Sequence, residues 1–524
     1  MKFSLRLLLL IGLLLCVSPT AAQEEPYFPT TEWRTSTPEA QGMDSAEVAA
    51  LFETFSADYY NLDSLLVVRH GVIVAEAYAP PFAQEDKHQL ASASKSVTAT
   101  LIGVLLQQGT LESLDLPLLG FFPEVTPQNL DANKEAITLR HMLTFTSGLD
   151  CNELTQANAT TRALINSEDW RQFTLDLPVK FAPGRTFQYC NASTYLLSAV
   201  ISELTGMSAA EYAAEHLFAP LGITDTAWTA SPQGVSIGFA ELYLNTRDLA
   251  KIGILYLNGG MWEGEQIIPA DFAQAALSTQ VEPGWPNTGY GYQWWTFLPN
   301  GAAIAVGFAG QYVLIDPAKD LVVVMTGAVN EASRFPLQYL PLAFTVMSLS
   351  AAEEALPEDA AAYDGLEAVL TRIENPVAAA PPLPPPIAEM LLGKIVYLGA
   401  PLPIEIPMGD RMETDPHVTA NVMRWDFSDP DVAMLTLVLD TQREWQIPIS
   451  LNGVYLVSEG PMGPLGARGE WRTADEFTFF IKYVGGEKLL RMDCRFFPGG
   501  IQVRTTEYAA GVAHFVPGVI VAPQ

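Results

Sequence analysis

The stretch Pro376-Val377-Ala378-Ala379-Ala380-Pro381-Pro382-Leu383-Pro384-Pro385-Pro386 limits the architecture of this chain more than any other feature. Each proline lacks an amide donor and fixes φ, so neither a helix interior nor a central strand can run through the tract. It reads as a semi-rigid spacer, and the acidic, alanine-rich run from Ala351 extends it forward. The 524 residues therefore divide into a first unit at 23–350, a linker at 351–387 and a second unit at 388–524.

The two units carry different patterns. In the first, residues 65–78 hold two β-rich runs joined at His70-Gly71, which predicts a hairpin. Val97, Leu101, Val104 and Leu105 recur at helical spacing, which predicts a helix over Lys95–Gln108 stopped by Gly109. Further helices are expected over Ser193–Thr205, with Ser193 as N-cap and Gly206 as stop, and over Thr246–Leu257. Strands are expected at 302–306, 312–315 and 321–325, then a helical stretch near Leu337–Leu349. Beyond the linker, short β-prone runs at 434–439, 477–483 and 500–504 predict an all-β unit, a small barrel or sandwich.

At the N-terminus, Lys2 and Arg6 precede the apolar run Leu7–Val17, and Ser18-Pro19-Thr20-Ala21-Ala22 offers small residues for cleavage. Residues 1–22 are expected to be a signal peptide and the mature protein to be secreted or periplasmic; an uncleaved anchor is the alternative, and the only expected membrane contact. Cys16 follows Leu15, a poor setting for lipid attachment. A formal charge of −31 repels phosphate backbones, so no nucleic-acid partner is expected. The six histidines are scattered singly and no cysteine has metal-ligand spacing, so neither a metal nor a cofactor is expected. Cys151 and Cys190 are the expected disulfide pair because both flank the motifs below; three free thiols, with Cys494, are the alternative.

Among the chain's ten lysines only Lys95 has a serine three residues before it. On a helix that spacing sets Ser92 and Lys95 on one face, and a buried lysine can take a proton from the hydroxyl and create a nucleophile. Ser94, adjacent in sequence, points away from Lys95. Proton delivery to a leaving group needs a second carrier, and Tyr-x-Asn occurs four times: Tyr59-Tyr60-Asn61, Tyr189-Cys190-Asn191, Tyr243-Leu244-Asn245 and Tyr256-Leu257-Asn258. Only Tyr189 lies in a loop, Pro183-Gly184 onward, that runs into a helix.

Taken in order, Ser92-Ala93-Ser94-Lys95, Thr144-Phe145-Thr146-Ser147-Gly148-Leu149 and Pro183-Gly184 through Tyr189-Cys190-Asn191 resemble the serine β-lactamase/penicillin-binding family, in particular its class C-like branch. Asn245 to Gly253, and Gly307-Phe308-Ala309-Gly310-Gln311 leading to Ile315-Asp316-Pro317, extend the likeness over about residues 40–350. The resemblance implies an α+β fold, an antiparallel sheet flanked by helices with a helical subdomain above the site, followed in this chain by the small all-β domain. It implies Ser92 as nucleophile, Lys95 as its activating partner, Tyr189 as general acid/base and Asn191 as the group that orders them. Whether Lys95 or Tyr189 deprotonates Ser92 stays open. The implied oxyanion hole is formed by the backbone N–H groups of Ser92 and Gln311, with Phe308 and Gly310 beside it.

Where this family places Lys-Thr-Gly, the chain has Phe308-Ala309-Gly310, so the cation that meets a substrate carboxylate is absent. That departure, with the aromatic run Tyr290-Gly291-Tyr292-Gln293-Trp294-Trp295, resembles the branch holding esterases and aminohexanoate-oligomer hydrolases. The expected partner is a small ester or amide substrate, and the aromatic run serves either as core or as pocket wall. Two rivals remain: a hydrolase of β-lactams or peptidoglycan peptides, and an inactive binding or scaffold protein of the same fold. Thr146-Ser147-Gly148, His141, Asp176 and Asp316 read as structural, and Asp150 and Glu153 as residues near the pocket entrance.

Overall fold

The computed structural model describes residues 27–522 apart from 58–59, 157, 298–300, 330–339, 406–416, 440–442, 461–462, 487–488 and 509–512. The expected signal peptide at 1–22, Tyr59 and the start of the helical stretch at Leu337 lie outside the described residues.

Helix α1 (Ser45–Phe55) is capped by Asp44, whose carboxylate accepts the Ala46 and Glu47 amides. Strands β1 (Leu62–Arg69) and β2 (Val72–Tyr78) follow, joined by His70 and Gly71 at φ 53° and 75°. That left-handed pair matches the twist of the flanking strands, as the His-Gly turn predicted. Next come β3 (His88–Gln89), α2 (Ser94–Gln107), α3 (Asn191–Thr205), β4 (Ala227–Trp228), β5 (Leu242–Leu244) and α4 (Thr246–Leu257). Strands β6 (Thr288–Tyr290), β7 (Trp295–Phe297), β8 (Ala303–Gly307), β9 (Gln311–Asp316) and β10 (Leu321–Gly327) lead to α5 (Leu340–Ser348).

The principal sheet is antiparallel with strand order β2-β1-β10-β9-β8-β7-β6. Strands from both ends of the first unit thus meet at its centre, where Val67 pairs with Val323. Both β1 and β10 are buried along their whole length. Helix α4 packs on β1, β9 and β10, and Gly253 makes this possible: a β-carbon there would stand 2.7 Å from Val322. A small sheet, β3-β5-β4, lies where the chain enters α2.

Two helices begin earlier than their apolar spacing suggests. A 3₁₀ turn at Ala91–Ala93 runs straight into α2, and α3 starts at Asn191 because Cys190, in extended conformation, takes the cap position. The segment expected as linker, 351–387, contains α6 (Ala360–Glu374). Its Leu366, Val369 and Ile373 recur at helical spacing and enter the core of the first unit. Residues 351–359 and 375–385 carry neither helix nor strand, and α7 (Pro386–Leu391) follows, whose Ala388 and Leu391 join the second core.

The second unit is a ten-stranded meander: β11 (Ile395–Glu405), β12 (His417–Asp426), β13 (Val432–Leu439), β14 (Glu444–Ser450), β15 (Leu456–Gly460), β16 (Gly463–Trp471), β17 (Glu476–Tyr483), β18 (Leu489–Phe497), β19 (Gly500–Glu507) and β20 (Ala513–Val521). Its first and last strands, β11 and β20, pair antiparallel, and a parallel bridge between β14 and β16 at Ser450 and Arg468 joins the far edges, giving a barrel-like closure. Trp425, Phe477, Phe479, Met492, Cys494 and Phe496 fill the interior.

Candidate active site

The site begins where β3 turns into α2. Ala91, at φ 44°, is a strained non-glycine residue, and the turn it makes leaves Ser92 half-buried at the head of the helix. One turn on, Lys95 is 1% exposed, and its Nζ donates to Ser92 Oγ at 2.7 Å and to the Phe239 carbonyl at 2.9 Å. That carbonyl reaches the lysine because the preceding Gly238 lets its loop press onto the helices; a β-carbon there would stand 2.8 Å from Ser198. Burial drives the Lys95 ammonium well below its ordinary range, and only Glu153 opposes the shift.

Tyr189 approaches from the other side, with Lys95 Nζ 5.0 Å from its ring centre. Backbone hydrogen bonds and a disulfide fix its loop. Gln188 N donates to Phe145 O at 2.8 Å, and Gly184 N to Thr146 O at 2.8 Å, so the Thr146-Ser147-Gly148 segment acts as a bracket for the loop. A disulfide joins Cys190 to Cys151, as expected from their positions, and Cys494 is free and buried. Beyond it, Asn191 Nδ2 donates to Thr161 Oγ1 at 2.8 Å, and Thr161 donates to Glu153 Oε1 at 2.7 Å. Asn191 thus links to Glu153, which is 3% exposed. Burial pushes the Glu153 carboxyl up, while the Thr161 hydroxyl and Lys95 pull it down. Sequence reasoning placed Glu153 at a pocket entrance; its buried position follows from lying two residues past Cys151, and Glu153 N donates to Tyr189 O at 2.9 Å.

The third motif closes the site. Gly307 pairs with Gln311 across the β8–β9 turn and lies against the Ser92 turn: a β-carbon on Gly307 would stand 2.2 Å from Leu90 O and 3.2 Å from Ala93 N. The turn between them holds half-buried Phe308 and Gly310 at φ 102°. The Gln311 side chain donates to Phe308 O at 3.1 Å and to Gly327 O at 2.9 Å, and Gln311 is fully buried. An aromatic wall adjoins Tyr189. Trp295 stacks on it at 6.0 Å, and half-buried Trp285 stacks on Trp295 at 5.3 Å. Gln293 fastens that run to the helices, its Oε1 accepting from Thr194 and its carbonyl from Ser96.

The remaining candidates have other partners. Ser94 Oγ accepts the Leu242 amide, and His141 Nδ1 accepts the Thr138 amide in a helix cap. Asp176 caps Gln128, Asp316 caps Ala318, and Asp150 pairs with Lys180. Among the described residues no His/Cys/Asp/Glu cluster could hold a metal ion, and no helix is long and apolar enough to cross a membrane.

Comparison with known proteins places this geometry. The 6-aminohexanoate-dimer hydrolase of Paenarthrobacter ureafaciens is 27% identical over 286 residues, covering 50% of this chain and 71% of that protein. Esterase EstB of Burkholderia gladioli is 30% identical over 228 residues, covering 39% of this chain and 58% of that protein, so the match spans less than two thirds of this relative. A solved structure from Bacillus anthracis, provisionally described as a 6-aminohexanoate-dimer hydrolase, is similar in fold, with a TM-score of 0.50 and 21% identity over 63% of this chain and 90% of that one. Residues 49–338, more than half of the chain, match the family described as Beta-lactamase. The sheet, the helices above it and the serine-bearing turn all fall within that span, and the chain belongs to the Beta-lactamase family of serine hydrolases.

Proposed function

We propose that this chain is an exported serine hydrolase of the class C-like branch, secreted or periplasmic, that cleaves a neutral ester or amide through an acyl-enzyme on Ser92. One observation carries the reading: a half-buried serine hydroxyl lies 2.7 Å from a lysine amine that burial favours in its neutral form. Lys95 takes the Ser92 proton as Oγ attacks the substrate carbonyl. The resulting oxyanion is received by the Ser92 and Gln311 backbone N–H groups, each such donor lowering the barrier by about 3 kcal/mol. The proton passes through the coupled Lys95 and Tyr189 to the leaving alcohol or amine, and water then releases the acyl group by the reverse route.

The names of the similar hydrolase and esterase support this substrate class. So does Phe308, which offers a ring where β-lactam and peptide hydrolysis would need a cation for the substrate carboxylate. The test is active-site labelling with a fluorophosphonate read by intact mass, together with p-nitrophenyl butyrate hydrolysis. Adduct mapping to Ser92, and loss of turnover in Ser92→Ala with an unchanged melting temperature, are expected. Labelling elsewhere, or wild-type turnover in Ser92→Ala, rejects the assignment, and competition by penicillins but not esters would move the substrate class.

A further inference from the structure

On β17 of the barrel, Phe477, Phe479, Ile481 and Tyr483 point inward and Lys482 points out, into the catalytic unit. Although it sits on the outer face, Lys482 is only 2% exposed. Its Nζ contacts the Asp63 carboxylate on β1, donates to Asn61 O at 3.0 Å and lies 5.5 Å from the Phe82 ring centre. Asp63, fully buried, turns its second oxygen to His88 Nε2 at 2.9 Å, and His88, 1% exposed, stacks on Phe82. His88 belongs to β3, the strand that precedes the nucleophile turn.

The barrel grips that strand a second time. Gln89 N donates to Gly485 O at 2.9 Å, across the domain boundary, while Leu90 N donates to Leu242 O at 2.9 Å. From there the chain passes directly through strained Ala91 to Ser92. The β-domain thus fixes the backbone and the side chain of the strand whose end sets both the Ser92 hydroxyl and its N–H.

We propose that Lys482 is a positioning residue for the hydrolytic reaction: through Asp63 and His88, the C-terminal β-domain holds the nucleophile turn in its working geometry. The inference rests on Ser92 being the nucleophile. A buried ion pair that served only to attach two domains would have no reason to converge on this strand, when the same charges could sit anywhere along the boundary.

The full-length chain carrying Lys482→Met tests this, with the doubly neutral variant Asp63→Asn/Lys482→Met beside it in case the unpaired Asp63 prevents folding. Soluble, folded protein is assayed for p-nitrophenyl butyrate turnover and for the rate of fluorophosphonate labelling at Ser92. Misplacing a reacting group by about 1 Å can cost on the order of 100-fold. The expected result is a fall in kcat and in labelling rate of about 10- to 100-fold, with KM changed less than about threefold. Wild-type kcat and labelling rate in either variant overturn the proposal, as does failure of both variants to fold, which would make the pair a stability element alone. Absence of Ser92 labelling in the wild-type chain would instead reject the nucleophile assignment.

Discussion

Two lysines of this chain are buried almost equally, Lys95 at 1% exposure and Lys482 at 2%, yet their immediate partners differ in charge. Burial lowers the Lys482 ammonium too, but a carboxylate in contact, Asp63, opposes that shift by charge and hydrogen bond. Lys95 donates to two neutral oxygens, the Ser92 hydroxyl and the Phe239 carbonyl, and is opposed only by Glu153, so its ammonium falls well below the ordinary range. A counter-ion in contact holds a buried amine toward its cationic form, and the pair acts as a fastening. An amine without that contact is poised as a neutral amine that can accept a proton. The nearest neighbour, not the depth of burial, separates the surroundings of these two lysines.

Replacing each lysine by methionine, similar in length and uncharged, gives the sharpest test. Lys95→Met should lower kcat/KM for p-nitrophenyl butyrate by about 10²–10⁴-fold, the range for loss of a positioned base. Its stability should be unchanged or higher, since no buried charge is stranded. Lys482→Met strands Asp63 and should cost about 3–5 kcal/mol in urea unfolding. Equal destabilisation by both substitutions would mean that Lys95 is also held as a cation, and the contrast would fail.

The aromatic neighbours extend the contrast. Beside Lys482, Phe82 and His88 stack in a closed interior, both buried. Beside Lys95, the stack runs from Tyr189 through Trp295 to half-buried Trp285, so it leads toward solvent and offers a ring to an acyl chain. Trp285→Ala should raise KM for p-nitrophenyl octanoate by about tenfold, about the value of one or two buried methylenes, and leave the acetate ester unaffected. An equal effect on both esters would make Trp285 part of the scaffold rather than of the pocket.

Much of the first lysine's setting was legible in the sequence and almost none of the second's. Ser92 and Lys95 lie three residues apart, so helical periodicity alone brings them together, and the loop before Asn191 marked Tyr189. The His70-Gly71 turn and the β-prone runs after the prolines likewise carry local signals. Glu153 and Asn191 meet only through Thr161, a residue with no pattern of its own. Lys482 reaches Asn61 across a separation of 421 positions, which no periodicity encodes. The helix Ala360–Glu374 was hidden differently: Leu366, Val369 and Ile373 are spaced for a buried face, but alanines, acids and the prolines that follow gave the segment the composition of a linker.

Glu153 offers the finest test of the comparison, because it is the weak counterpart at Lys95 of Asp63 at Lys482. If Lys95 reacts as the neutral amine, kcat/KM rises as pH climbs through its pKa. Glu153, where ionised, holds that pKa up, so Glu153→Gln should let it fall further and move the ascending limb of the pH profile to lower pH, by less than about one unit for a charge not in contact. A carboxylate that only braced Asn191 through Thr161 would change the height of the profile and leave the limb where it was. A limb that moved to higher pH would contradict the sign of the coupling, and with it the picture of Lys95 as an amine kept neutral by burial against a distant carboxylate.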